Sequence, residues 1–251
     1  GHELHRYSIA DGIRDKNVLG FDPYLISTYK DSKLREAVAL DEAKANTIQE
    51  AMADTKKKEI YLRFMDKSRV AMAGHWDKAN NYVRGIEDYL LTEQYRRPEH
   101  QQKVVEDILD NWIQYSQNNK FHGMFATSSI AEAIEYYRLF KKLKPELKIT
   151  ALFDPNIDNN ENAKFKEDGL VEIISDYNNR YGMEFSLATH AKMKRDIADR
   201  LAHKELYKRV EHTPEKQLEL LIVVDQMLTG FDSKWVNTLY LDKMLEYANL
   251  I

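Results

Sequence analysis

The chain has 251 residues, 43% of them hydrophobic and 31% charged, an ordinary balance for a soluble globular protein of one large domain or two small ones. It contains no cysteine, which excludes disulfides, thiolate catalysis and cysteine-based zinc sites. Its formal net charge of -4 excludes a chain that is basic throughout, as a general nucleic-acid polycation would be, while leaving room for local basic faces.

No stretch approaches the roughly 18 consecutive apolar residues of a membrane span, and no signal peptide opens the chain, so the cytoplasm is the expected compartment. The first residue is Gly1 and the last residues read "EYANLI" without a cap or polar tail; these ends suggest a piece of a longer polypeptide. His2, Glu3 and His5 stand together, but the zinc-protease spacing needs two residues between the Glu and the second His, so a frayed terminus is the simpler reading.

Residues 1–119 read as mainly helical. Ser8 in "YSIADGIRDKN" is a candidate helix cap, and "LGFDPYLISTY" is an extended segment interrupted by Pro23. Between Asp31 and Asp54, Leu34, Val38, Ala45, Ile48 and Met52 recur at helical spacing. "TKKKE", residues 55–59, is most simply a solvated face or loop, with a contact to DNA as the lesser reading of the charge run. Pro98 suits the first position of a helix whose apolar stripe is Val104, Val105, Ile108, Leu109, Trp112 and Ile113.

After Lys120 strands alternate with helices. "FHGMFA" predicts a strand, "SSIAEAIEYYRLFKKLK" a helix opened by Ser129 and Glu132 as a capping box, and "KITALFD" a second strand. Residues 121–154 should then form one right-handed, parallel βαβ unit. Residues 155–183, with "DPNIDNNEN" and "DYNNRYG", read as a loop-rich insertion at the sheet edge. A basic helix follows, "FSLATHAKMKRDIADRLAHK". Its Lys192, Lys194, Arg195, Arg200, His203 and Lys204 either lie along a phosphate backbone or, given Asp196, Asp199 and Glu205, form an ordinary exposed face. "LELLIVV" and "VNTLYLD" complete the strands.

Two stretches carry chemistry. The helix opening at "ATSSIAEA" presents free backbone amides and a positive dipole end, with Thr127, Ser128 and Ser129 as hydroxyl donors; it is either an anion site suited to a nucleic-acid phosphate or simply a capped helix. In "LLIVVDQMLTGFD" an unbroken apolar run, as in a strand covered on both faces, ends in Asp225, Gly230 and Asp232. Ligands bind at the carboxyl ends of such strands, but a tight turn with capping acids has the same composition. The remaining histidines are scattered without ligand spacing, and Trp76, Trp112 and Trp235 read as core or interface anchors rather than base-stacking platforms.

"LLIVVDQMLTGFDSKWVNTLYLDK" resembles motif V and the following strand of the second RecA-like motor domain of superfamily 2 helicases, in the form found in the motor (R) subunit of type I restriction enzymes. "YSIADGIRDKNVLGF" resembles the stretch leaving the first motor domain, "FHGMFATSSIAEAIEYY" resembles motif IV, and "KITALFDPN" fits the strand after it. The resemblance implies a RecA-like parallel sheet flanked by helices over residues 120–251, stopping before motif VI, with residues 1–119 leading into it. It implies that Gly230 and Asp232 face a nucleotide and that Thr127 and Ser128 touch the DNA backbone. Asp225 would end the motif V strand. Val224 stands where many relatives have Thr, which leaves Thr229 as the nearer hydroxyl donor to DNA.

By the same resemblance the parent is an ATP- and Mg2+-dependent translocase on double-stranded DNA, working with modification and specificity subunits. The sequence has no Walker A pattern and no Asp-Glu-x-His box, so the chain alone is expected to be inactive. Rival readings are the motor lobe of another superfamily 2 helicase or type III restriction subunit, and a non-enzymatic interaction module.

Overall fold

The computed structural model describes residues 14–16, 20, 31–89, 98–154, 163–224 and 233–241. The chain divides into two compact units, Gly1–Ile86 and Glu87–Ile251.

In the first unit the periodic stretch from Asp31 is two helices, not one: α1 (Asp31–Glu42) and α2 (Ile48–Ala53). The break is local. Lys44 takes a left-handed φ of 50°, and the Ala45 N–H reaches back to the Leu40 carbonyl, the closing bond of a Schellman end. Thr47 then caps α2 by accepting the Glu50 N–H at 3.1 Å. Past this break Ile48 and Met52 turn outward and are exposed, whereas Val38, Ala39, Ala43, Ala45 and Ala51 are buried. "TKKKE" opens α3 (Thr55–Met65) as a solvated face, the first of the two forms expected, with Thr55, Lys56, Lys58 and Glu59 exposed and Lys57 half-buried. Asp54 caps it through the Lys56 and Lys57 N–H groups, both at 2.9 Å, placing a negative charge where three lysines crowd a positive dipole end. Buried Arg35 ties α1 to the far end of α3, donating to the carbonyls of Phe64 at 2.7 Å and Val70 at 2.8 Å. A small antiparallel hairpin follows, β1 (His75–Trp76) against β2 (Tyr82–Val83).

The second unit is a parallel sheet with helices packed on it. Helix α4 (Pro98–Tyr115) begins at Pro98 as the sequence predicts and sends Val105, Ile108 and Trp112 into the core, leaving Ile113 exposed. Then come β3 (His122–Thr127), α5 (Ile130–Leu143), β4 (Ile149–Leu152), α6 (Ala163–Tyr181), α7 (His190–Ala202), β5 (Leu220–Val224) and β6 (Val236–Leu241). The strand order is β4-β5-β3-β6, and every pair is parallel. The β3-α5-β4 segment is therefore parallel as expected, but its strands are not neighbours, because β5 lies between them. That position accounts for the unbroken apolar run: all five residues of β5 and all four of β4 are buried. β6 alternates half-buried and exposed residues, as a strand with one open face does.

Gly123 marks the tightest spot on β3. A Cβ there would sit 3.0 to 3.2 Å from Tyr240, Trp112 and Leu220, so the missing side chain lets the Trp112 ring lie close over the sheet. Ser129 caps α5 through the Glu132 N–H. The reciprocal half of the box is displaced, because the Glu132 carboxylate reaches Ser128 rather than the Ser129 backbone.

The reading of residues 155–183 as an insertion loop is corrected by α6. Residues 163–181 are helical, and Leu170, Ile173, Ile174 and Tyr177 belong to the central hydrophobic core. Those four positions carry a helical stripe that the flanking Asn and Asp residues obscure.

Candidate functional site

The site begins with register. Thr127, the last residue of β3, lies opposite Val224, the last of β5. Two neighbouring parallel strands thus end side by side, and their outgoing connections run to opposite edges of the sheet, β3 toward β4 and β5 toward β6. The crevice outside the carboxyl ends of such strands is where open α/β sheets bind ligands. Asp225, Thr229, Gly230 and Asp232 follow directly on Val224 and lie outside the described residues.

The β3-α5 turn, residues 127–129, is described in full. Thr127 is 1% exposed. Its hydroxyl faces the Val223 carbonyl at 3.2 Å and the Ser129 carbonyl at 3.3 Å, so it pins the turn to the end of β5 and points away from solvent. Ser128 is exposed. Its N–H and its hydroxyl both donate to the Glu132 carboxylate, at 3.1 and 2.8 Å. The anion position at the start of α5 thus holds a carboxylate of the chain's own, from a residue only 3% exposed. An anion that approaches the Ser128 donors must compete with Glu132 for them.

The basic helix divides. Lys192, Lys194, Arg195 and Lys204 are exposed, but Arg200 and His203 are buried and leave the surface face to which the sequence assigns them. Arg200, 1% exposed, donates from Nε to Asp196 at 2.9 Å and to the Lys216 carbonyl, and lies 3.8 Å from the Tyr181 ring centre and 4.3 Å from that of Tyr207. Asp196 also accepts the hydroxyls of Tyr177 at 2.5 Å and Tyr207 at 2.6 Å. Burial, more than the neighbouring charges, raises both phenols' pKa above the ordinary value, so they stay protonated donors.

The histidines, scattered in sequence, include a pair that folding brings together. His122 Nδ1 is 2.5 Å from the Leu218 carbonyl and its Nε2 is 2.9 Å from Nε2 of His203. A carbonyl only accepts, so Nδ1 of His122 carries the proton and its Nε2 accepts from His203. The His203 ring stacks on Trp235 at 4.1 Å. Burial, then the adjacent His203, depresses the His122 pKa to about 4. This pair sits at the amino end of β3, the opposite end from Thr127. The two residues are 81 apart in sequence, and no spacing signal could have joined them. Of the tryptophans, Trp112 is core, while Trp76 is 64% exposed and anchors no core. His2, Glu3 and His5 lie outside the described residues.

The sheet and its 127–129 turn fall within residues 119–251, which match the family model described as type I restriction enzyme subunit R domain 3. The chain belongs to the type I restriction enzyme R-subunit family. Beyond that domain the similarity extends over the whole chain. It is 33% identical over 259 residues to the type I restriction enzyme SauCOLORF180P endonuclease subunit of Staphylococcus aureus strain COL. It is 32% identical to the SauMRSORF196P endonuclease subunit of Staphylococcus aureus strain MRSA252 and 30% identical to the SsaAORF53P endonuclease subunit of Staphylococcus saprophyticus. Each match covers all of this chain and 22% of the R-subunit relative. The chain therefore spans about a fifth of the length of those R subunits, and its parallel sheet is consistent with the RecA-like arrangement expected of the family. No helix among the described residues is long and apolar enough to cross a membrane.

Proposed function

We propose that this chain is the second motor lobe of an ATP-dependent DNA translocase and endonuclease, the R subunit of a type I restriction-modification system. The observation that supports this most is the pairing of Thr127 with Val224, which brings the 127–129 turn and the start of the 225–232 segment to one end of the sheet. The residues matching two separate helicase motifs follow strand ends that are far apart along the chain, Thr127 and Val223 being 96 positions apart, yet leave neighbouring strands at the place where α/β sheets hold ligands.

In this reading Ser128 is the donor to the DNA backbone, with Thr229 as a second. Thr127 acts by positioning, since its hydroxyl is turned into the sheet. Glu132 holds the Ser128 donors while no DNA is bound and yields them to a phosphate. Gly230 and Asp232 line one wall of the nucleotide cleft, and Asp225 ends the strand that carries them. ATP and Mg2+ are held mainly by the first motor lobe, since this sequence lacks a Walker A pattern. Closure of the two lobes changes the distance between their grips on double-stranded DNA, which is the physical requirement for stepping. The modification and specificity subunits of the same system are the protein partners, and the cytoplasm is the compartment.

The test is made in the full-length R subunit. Ser128→Ala should slow translocation on a duplex track while leaving the ATP concentration for half-maximal turnover unchanged. Gly230→Val or Asp232→Asn should lower DNA-stimulated ATP hydrolysis itself. An Asp232→Asn subunit with wild-type hydrolysis would return the chain to the class of interaction modules.

A further inference from the structure

The first unit carries a surface that the motor-lobe reading does not use. Between Thr55 and Arg84 there are eight Lys and Arg against three Asp and Glu, five net positive charges in a chain whose total is -4. Two of those acids are engaged internally, and so are two of the cations, Lys57 with Glu50 and Arg69 with Asp66. Asp66 accepts from Ser68 and pairs with Arg69, and Asp77 accepts the N–H groups of Ala79 and Asn81. Lys56, Lys58, Lys67 and Lys78 are exposed.

The β1-β2 hairpin lies inside this basic stretch. Trp76 and Tyr82 face each other across its strands, with ring centres 5.3 Å apart and planes at 63°. Trp76 is 64% exposed and Tyr82 44%. Leaving a tryptophan in water on a folded unit forfeits the burial that such a side chain normally supplies, and exposed aromatic surface of this kind marks interaction sites. The hairpin is also tied at its turn and at its base. Asp77 ties its turn from inside, Asn80 takes the left-handed φ of 61° that the turn requires, and Lys78 stands on the turn. At the base Gly85 fits flush against the backbone of Met72–Gly74, where a Cβ would come within 2.4 Å. Ile86, fully buried, donates its N–H to the Ala71 carbonyl at 2.9 Å. These ties reduce the backbone ordering that binding to the aromatic pair would require.

We propose that this hairpin is a second, sequence-independent nucleic-acid contact, in which Trp76 and Tyr82 stack on unpaired bases of a single strand while Lys78 on the hairpin turn engages its phosphates. Aromatic rings set among cations are the chemistry that binds single strands regardless of base, because every base offers a ring face and every nucleotide a charge. A protein partner would also cover the rings, but it does not explain a local charge opposite in sign to that of the whole chain.

The experiment titrates a dye-labelled mixed-sequence single-stranded oligodeoxynucleotide with the 251-residue chain and with the full-length subunit, reading anisotropy at several salt concentrations. Trp76→Ala should weaken binding roughly 5- to 150-fold, the range for loss of one aromatic-base stack. Trp76→Phe should retain most of the affinity. Lys78→Glu should flatten the dependence on salt. Unchanged thermal unfolding of the variants shows that the fold survives, as expected for side chains already in solvent. Equal affinities of wild type and Trp76→Ala overturn the proposal, and so does a Trp76→Ala variant that binds DNA normally but loses another subunit. If single-strand binding survives Trp76→Ala while Ser128→Ala still slows translocation, the hairpin contact fails and the motor-lobe reading stands.

Discussion

Arg200 shows how one side chain can organise a region. Its guanidinium is held by Asp196 and by the Lys216 carbonyl and lies over the rings of Tyr181 and Tyr207, and Asp196 is in turn held by two phenols. Removing one member leaves the other as a buried uncompensated charge. Arg200→Met should therefore destabilise by about 3–5 kcal/mol, whereas Arg200→Met with Asp196→Asn, which removes the charge but keeps an acceptor for the phenols, should recover much of that loss; urea denaturation of both variants measures the difference. His122 makes a pH-dependent contribution. Its ring is neutral in the fold down to about pH 4 but protonates in the unfolded chain near 6.5. The stabilisation is therefore complete above pH 6.5 and is lost as pH falls toward 4, a swing on the order of 3 kcal/mol. Unfolding midpoints between pH 7 and 4 should fall more steeply for wild type than for His122→Asn; parallel slopes would show that the ring does not contribute.

At the scale of elements, α6 and β5 are opposite cases. The apolar run Leu220–Val224 is legible as a doubly covered strand because a central position needs no polar face. Pro98 and Ser129 are legible for a similar reason, since a helix start depends on one residue's φ or one hydroxyl. Helix α6 is hidden because its ends are Asn- and Asp-rich, while the four residues that bury it, Leu170, Ile173, Ile174 and Tyr177, are diluted among nineteen. Gly169 on that helix tests its packing against α5. A Cβ there would lie 2.5 Å from Ile134 Cδ1 and 2.8 Å from its Cγ1. Alanine in a helix interior normally gains up to about 1 kcal/mol over glycine, but forcing a methyl into this contact costs roughly 1–3 kcal/mol. Gly169→Ala should thus destabilise, and adding Ile134→Val should restore part of the loss in thermal unfolding. If Gly169→Ala raises the melting temperature, the helices are less closely packed than this contact requires.

For the whole molecule, the motor-lobe reading predicts that the purified 251-residue chain hydrolyses no ATP, with or without DNA, and that joining it to a Walker-bearing lobe and to the downstream motif VI segment restores DNA-stimulated turnover. Turnover by the chain alone, free of contaminating ATPase, would contradict that division of labour. The candidate site is legible in sequence as far as its location: Thr127 and Ser128 lie where a strand meets a helix, and the described register places them beside Val224. Their orientation is not legible. Nothing in "ATSSIAEA" says that Thr127 turns inward to the Val223 carbonyl or that Glu132 claims both Ser128 donors.

Taken alone, the sequence determined those features whose causes act within about one helical turn or one strand: the period of apolar residues, the caps, and the alternation of strand and helix after Lys120. Tertiary structure decided the insertion of β5 between β4 and β3, the burial of Arg200 among tyrosines from two other segments, the meeting of His122 with His203, and the exposure of Trp76. Each of these depends on which distant surfaces exclude water from one another. That is settled only when the whole chain closes, since burial changes the energy of a charge or a ring more than any neighbour in sequence can.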